Sequence, residues 1–228
     1  MIMLVGPFIE DPQTMTNILK IDASARPMTV DAQGAEGSFS RDVAAHLIDR
    51  LTGQGGSVTT RDLVADPLPH ISDATIKGYY TPPDAMTDDL WAATALSDKL
   101  IAELRAADIL VLSVPIYNFS VPSALKAWID QVVRIGHSFA CEDGQFSGLI
   151  HGKRAYLVLA YGAGGYANGG PLAAYDFLKP YLTMVLAFIG ISDVTIFEME
   201  ATTDPSAAPK ARAATLQAID AHFERQVA

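Results

Sequence analysis

The 228 residues are half hydrophobic and carry a formal net charge of -10, with an isoelectric point near 4.8. That length and apolar content suit one domain with a sizeable core, and the acidic balance speaks against nucleic acid or an anionic membrane as partner. Cys141 is the single cysteine, so no internal disulfide forms, in keeping with a reducing cytoplasm.

Met1 to Ile9 is apolar but short, and no Lys or Arg precedes Lys20, so the start lacks the basic and long apolar parts of a signal peptide. No other stretch is long enough to span a bilayer. Residues 1–16 are expected to be an extension outside the fold, with Met15 an alternative start, and residues 17–228 to form one domain. Asn17–Ala23 reads as the first strand, followed by a small-residue loop from Ser24 to Gly37. A helix opens at Ser38-Phe39-Ser40, with Val43, Ala44, Leu47, Ile48 and Leu51 on its apolar face. Glycines 53, 55 and 56 end it, and Ser57–Leu63 follows as a second strand. This βαβ unit implies a parallel sheet.

Asp66–Asp84, with four prolines and two tyrosines, reads as a surface excursion at a pocket rim, irregular or carrying a short helix. Met86–Ala106 is expected to be helical, and Ile109–Val114 is a buried strand. A loop from Pro115 to Ser120 leads into a helix from Val121-Pro122-Ser123, with Leu125, Trp128, Ile129, Val132 and Val133 on one face. Ala140–Lys153 is a polar segment, Arg154–Tyr161 a fourth strand, and five glycines crowd residues 162–170. Pro171–Ile189 is expected to be helical with a bend at Pro180, Val194–Met199 is a fifth strand, and Asp204-Pro205 opens the last helix.

Five strands with intervening helices predict a doubly wound α/β fold, which binds ligands beyond the carboxyl ends of its strands. Three loops there carry chemistry. In Ile116-Tyr117-Asn118-Phe119, an amide, flat aromatic faces and backbone N–H groups suit a flat heteroaromatic ring; equally, the aromatics are those of a turn that pads the core. Ser24, Ser38 and Ser40, with the N–H groups of Phe39 and Ser40, suit a phosphate held at a helix start in an acidic protein; they are also ordinary capping residues. Arg26 and Arg41 read as solvent-facing charges. The glycine-rich turn after the fourth strand offers N–H donors or simple flexibility. The five histidines show no metal-ligand spacing, Cys141 has no base partner, and there is no nucleophile elbow.

The string from Pro115 to Asp130, P-x-Y-N-F-x-V-P-S-x-L-K-x-W-I-D, resembles that of FMN-dependent NADH:quinone oxidoreductases, also called azoreductases. The resemblance runs from about Asn17 to the C-terminus. It implies a flavodoxin-like five-stranded parallel sheet of order 2-1-3-4-5, with FMN at the switch between strands one and three; flavodoxin is itself the standard example of that order. It places the FMN phosphate at Ala23-Ser24-Ala25-Arg26 and Ser38-Phe39-Ser40, and the flavin ring along Pro115, Ile116, Tyr117, Asn118 and Phe119, with an N–H near Asn118 facing flavin N5. Ala160, Tyr161, Gly162 and Ala163 stand where the family often has Ser-Arg-Gly-Gly, so backbone contacts to the flavin remain while a hydroxyl and an arginine are lost. Phe139, Phe146 and Tyr166 are candidate aromatic walls of a substrate pocket shared across a homodimer. The implied activity passes two electrons from NADH or NADPH to FMN and then to a quinone or azo acceptor in two half-reactions. The flavin carries the chemistry, with no metal and no dedicated acid–base residue. An FMN electron carrier of flavodoxin type, or an FMN-dependent nitro- or chromate reductase, is the alternative. No separate dinucleotide fingerprint distinguishes NADH from NADPH.

Overall fold

A computed structural model describes residues 15–28, 37–53, 55–167 and 169–227. Its main sheet is built from β1 (Thr16–Asp22), β2 (Gly56–Asp62), β3 (Ile109–Pro115), β6 (Arg154–Ala160) and β7 (Asp193–Met199). All five strands are parallel, in the order β2-β1-β3-β6-β7. A separate antiparallel hairpin, β4 (Phe139–Glu142) and β5 (Gln145–Gly148), takes up two numbers in the chain. Among the strands of the main sheet alone, the chain order is 2-1-3-4-5.

The sheet is buried on both faces, which explains why its strands are near-continuous apolar runs. Side chains alternate along each strand, so adjacent residues enter different cores. Leu19, Leu110 and Leu157 pack with α3 (Asp88–Ala106), α4 (Ser123–Val132) and α5 (Leu178–Ile189). Ile18, Val111 and Tyr156 face α1 (Phe39–Thr52) and α6 (Ala208–Val227). The predicted stripe on α4 is buried at Leu125, Trp128, Ile129 and Val132.

Several boundaries depart from the sequence reading. β1 begins at Thr16, which pairs with Gly56, so the sheet takes one residue of the expected extension; residues 1–14 lie outside the described residues. The 66–84 excursion carries α2 (Asp73–Tyr80), started by a capping box in which Ser72 and Thr75 satisfy each other's backbone N–H. Thr in place of the usual Glu or Gln hides that signal. The Tyr79 hydroxyl donates to the Gln131 side chain at 3.1 Å, and Gly78 lies against Thr94. The segment therefore covers α3 and α4 and does not form a rim of the site described below. Helix α5 starts at Leu178, so Pro180 is its third residue and replaces an N–H that no helical carbonyl would have accepted; the expected bend does not occur. Ala173–Tyr175 forms a separate 3-10 turn. The Asp204 carboxylate accepts the N–H groups of Ser206 and Ala207, which makes Asp204-Pro205 a turn ahead of α6.

The hairpin packs on the end of α5 at a position only glycine fits. A Cβ on Gly148 would stand 2.2 Å from the backbone nitrogen of Gly190, the left-handed cap of α5. Gly148→Ala should therefore displace hairpin from helix at a cost of about 1–3 kcal/mol. Urea unfolding measures this, and an unchanged midpoint would show that the two do not meet there.

Candidate functional site

A cavity of about 390 Å³ opens beyond the carboxyl ends of β1, β3 and β6. Its walls come from loops that the sheet order makes neighbours, and those loops are laced together. The Ile116 N–H donates to the Ala160 carbonyl at 2.9 Å, and the Ala25 N–H donates to the Tyr117 hydroxyl at 3.1 Å.

One end of the cavity is the start of α1. Ser38 caps it, its hydroxyl accepting the Arg41 N–H at 3.3 Å, with the Ser40 hydroxyl 3.1 Å away. This cap leaves the N–H groups of Phe39 and Ser40 without partners among the described residues, at the positive end of the helix dipole. Ser24, Ser38 and Ser40 are buried yet line the cavity. Arg41 does not face solvent as its charge suggested; it is 6% exposed. Its guanidinium runs beneath the seat, donating to Asp62 at 2.5 and 2.8 Å and to the Ser24 carbonyl at 2.8 Å. Asp22 lies 3.5 Å from Arg41 and pairs with Lys20 at 2.6 Å. Two cations thus meet two carboxylates below the seat, and the hydrogen bond to Asp62 raises the Arg41 pKa. Arg26, exposed at the rim, is the cation that lines the cavity itself.

The second wall is the predicted central loop. Tyr117 and Ser120 exchange backbone hydrogen bonds at 3.0 and 3.1 Å around Asn118 and Phe119, whose φ angles are 46° and 73°. Positive φ at both central residues makes this a type I′ turn. Asn tolerates that conformation, whereas Phe pays sterically in a place where glycine is usual. The Phe119 carbonyl accepts the Phe177 N–H at 3.0 Å, and its ring lies 5.7 Å from that of Tyr175. Pro115, Ile116 and Tyr117 line the cavity; Asn118 and Phe119 form the tip of the turn beside it.

The third wall follows β6. Thr202 donates its N–H and hydroxyl to the Tyr161 carbonyl, both at 3.0 Å, and Thr203 does the same to Gly162 at 3.1 and 2.8 Å. The Ala163 carbonyl accepts from Ala201 at 3.2 Å. The carbonyls are thereby occupied, while the N–H groups of Gly162 and Ala163 have no partner among the described residues. Ala160 and Gly162 line the cavity. The Tyr161 side chain turns the other way: it is fully buried, and its hydroxyl donates to Asp176 at 3.1 Å. Burial, reinforced by Asp176 and Glu198, drives its pKa up, so it stays a neutral phenol.

Phe139, Phe146 and Tyr166 are not brought to this cavity within one chain. The first two pack on Phe188 at 4.7 and 5.6 Å, and Tyr166 stacks on Tyr161 at 4.9 Å. The aromatics beside the central turn are Tyr175 and Phe177. Thr202, Thr203, Pro205 and Ala208 also line the cavity, unforeseen, because only the strand order shows that the loop after β7 lies beside the loop after β6. No cluster of three or more His, Cys, Asp or Glu among the described residues could hold a metal ion.

A parallel sheet of this order with a cavity at the β1/β3 switch defines a flavodoxin-like protein. The profile of the flavodoxin-like fold family accordingly matches residues 16–223. The FMN-dependent NADH:quinone oxidoreductase of Xanthobacter autotrophicus is 50% identical over 80% of this chain and 85% of its own length. FMN-dependent NADH:quinone oxidoreductase 1 of a Jannaschia species is 42% identical over 91% of this chain and all of its own. Among solved structures, an azoreductase from Bacillus anthracis superposes with a TM-score of 0.79 at 24% identity, covering 90% of this chain and 97% of that one. A B. anthracis FMN-dependent NADH-azoreductase in complex with FMN superposes at 0.74 and 21% identity, covering 90% and 98%. These two support the fold. The chain belongs to the FMN-dependent NADH:quinone oxidoreductase family.

Two predictions follow from the site's geometry. Asn118→Gly should preserve stability, whereas Asn118→Val, β-branched at positive φ, should lose about 1–2 kcal/mol in urea unfolding. Asp62 is held well below the ordinary carboxylate range, chiefly by the hydrogen bond from Arg41. A carboxyl depressed on folding stabilises above its unfolded pKa, near 4, and loses that contribution as pH falls through its folded value. The urea midpoints of wild type and Asp62→Asn should therefore differ most at about pH 5–8, begin to converge below about pH 4, and meet only as pH falls through the folded value.

Proposed function

We propose that this chain binds FMN and passes two electrons from NADH to quinones and azo compounds. The observation that carries the reading is the continuity of the cavity, from a helix start with two N–H groups that have no partner among the described residues to two peptide arcs that present further such N–H groups. Its volume falls in the roughly 300–1,000 Å³ range of small-molecule sites. The N–H groups of Phe39 and Ser40 and the hydroxyls of Ser24, Ser38 and Ser40 hold the phosphate, with Arg26 adding charge at the rim. The cluster beneath is internally neutralised, so phosphate binding rests on short-range donors more than on net charge. Pro115, Ile116 and Tyr117 give the flavin ring an apolar and aromatic wall, with the N–H of Asn118 at its edge. The N–H groups of Gly162 and Ala163 favour negative charge on the ring's polar edge, as preorganised donors do. Of the assigned flavin-binding residues, Tyr161 has both backbone groups occupied, its N–H donating to the Met199 carbonyl at 2.8 Å, so the peptide contacts fall to Gly162 and Ala163. FMN held by these residues would supply the two-electron redox chemistry between NADH and the acceptor.

Among the described residues, those that line the cavity are suited to binding, orientation and shielding. The assembly we infer is a homodimer. Phe146, Leu149 and Met184 are exposed on the hairpin and α5, an apolar surface suited to a second copy that would bring Phe139 and Phe146 near a partner's cavity. A single exposed cysteine and a family of NADH-linked enzymes support a cytoplasmic setting, and no helix among the described residues is long and apolar enough to cross a membrane. We read residues 17–228 as the FMN-binding unit.

The purified protein, reconstituted with FMN, should show the oxidised-flavin spectrum, bleach with NADH and recover it with benzoquinone. A colourless protein would overturn FMN binding. A coloured one that NADH cannot bleach without a partner reductase would be an electron carrier. Riboflavin, which lacks the phosphate, should bind at least about tenfold more weakly than FMN by isothermal titration. Equal affinities would remove the phosphate from the start of α1.

A further inference from the structure

The side chain that departs from the family pattern, Tyr161, belongs to a buried network that the reaction does not use. It sits between two cavity-lining residues, Ala160 and Gly162, with its ring turned away. Its hydroxyl has one proton to donate. Asp176 Oδ2 accepts at 3.1 Å, whereas Glu198 Oε1 lies at 3.4 Å and already accepts from Lys179 Nζ at 2.9 Å. The hydroxyl therefore donates its proton to Asp176. The other oxygen of Asp176 accepts the N–H groups of Leu178 and Lys179, both at 3.0 Å, which caps α5 where Phe177 offers no side-chain cap.

The neighbours of Asp176 reach the opposite arc of the site. Phe177 N–H donates to the Phe119 carbonyl, and the Tyr175 ring meets the Phe119 ring. Phe119 is the residue held at a φ of 73°, a conformation that persists only where its surroundings impose it. Asp176 is 8% exposed and lies on a short path between the two arcs: Gly162, Tyr161, Asp176, Phe177, Phe119. The direct link at the base of the arcs, Ile116 to Ala160, fixes the strand ends but not the peptides beyond them.

We propose that the Tyr161–Asp176 hydrogen bond is a strut that sets the spacing between the peptide arcs 116–119 and 160–163, and thereby tunes FMN affinity and midpoint potential. Tyr161 and Asp176 are positioning residues, since neither side chain lines the cavity. The backbone donors of Gly162 and Ala163 are aimed from behind by a buried phenol. A hydroxyl enclosed by carboxylates remains un-ionised, so it keeps the proton that it donates to Asp176. This inference rests on the proposed function, because it concerns how the same arcs grip FMN.

The test compares wild-type holoprotein with Tyr161→Phe, which keeps the ring and its stacking on Tyr166, and with Asp176→Asn, which keeps an oxygen for the α5 cap. FMN release on dilution gives the dissociation constant, and spectroelectrochemical titration gives the midpoint potential. Reduced FMN carries extra negative charge, so misplaced N–H donors should weaken it more than oxidised FMN. With Tyr161→Phe we expect about tenfold weaker FMN binding and a midpoint potential about 30 mV more negative, tenfold in a two-electron couple. The double variant should lose less than the sum of the single variants. If Tyr161→Phe does not fold, Asp176→Asn carries the same two readouts. Variants that lose thermal stability but keep wild-type affinity and potential would overturn the strut and leave only a structural hydrogen bond. A wild type that never binds FMN fails in another way, by removing the proposed function itself.

Discussion

Around the cavity, several loop carbonyls are occupied while five N–H groups have no partner among the described residues, and the site depends on that imbalance. Arg41 takes the Ser24 carbonyl, Phe177 that of Phe119, and Thr202, Thr203 and Ala201 those of residues 161–163. The N–H groups of Phe39, Ser40, Asn118, Gly162 and Ala163 find no partner among the described residues. Phe39, Ser40 and Gly162 line the cavity and Asn118 and Ala163 are exposed beside it, so these donors together suit an electron-rich ligand. FMN, with a phosphate at one end and carbonyls and ring nitrogens at the other, has that complement. An acidic chain can therefore hold an anion without a basic patch.

The buried charges beneath α1 make this arrangement rigid. Lys20, Asp22 and Arg41 are each under a tenth exposed, and Asp62 closes the group from β2. Desolvating four charges is expensive, and the ion pairs recover that cost only while all partners are in place. Their chief effect is geometric: Arg41 ties the first turn of α1 to the ends of β1 and β2. Asp22 Oδ1, Arg41 Nε and Ser113 Oγ have no partner among the described residues, so the cluster is not fully satisfied even so.

The aromatic residues show where one-dimensional reasoning loses its hold. Phe139, Phe146, Tyr166 and Tyr161 read alike as flat side chains near glycine-rich turns. In the fold two join Phe188 on the hairpin and two stack on each other in the core. Which aromatic meets the central turn depends on the 3-10 turn before α5, since that turn sets Tyr175 and Phe177 against Phe119. Nothing in local periodicity records such a placement. Thr202 and Thr203 were hidden for the same reason: they matter because β7 lies beside β6.

Read one window at a time, the chain specifies the doubly wound class, the five strands of the main sheet (though not the two of the hairpin) to within a residue, the serine-rich start of α1 and the Pro115–Phe119 loop. Each of these is written locally, in apolar runs, capping residues and one long contiguous motif. Tertiary structure decided what no window of the chain contains. Arg41 became a buried clamp because Asp22 and Asp62 come from two different strands. Tyr161 became a core residue because Asp176 reaches it from the start of α5. The 66–84 excursion became a cover for α3 and α4 because Gly78 packs on Thr94 and the Tyr79 hydroxyl reaches Gln131. Local propensity selects elements; pairing of polar groups far apart in sequence decides which side chains face the cavity.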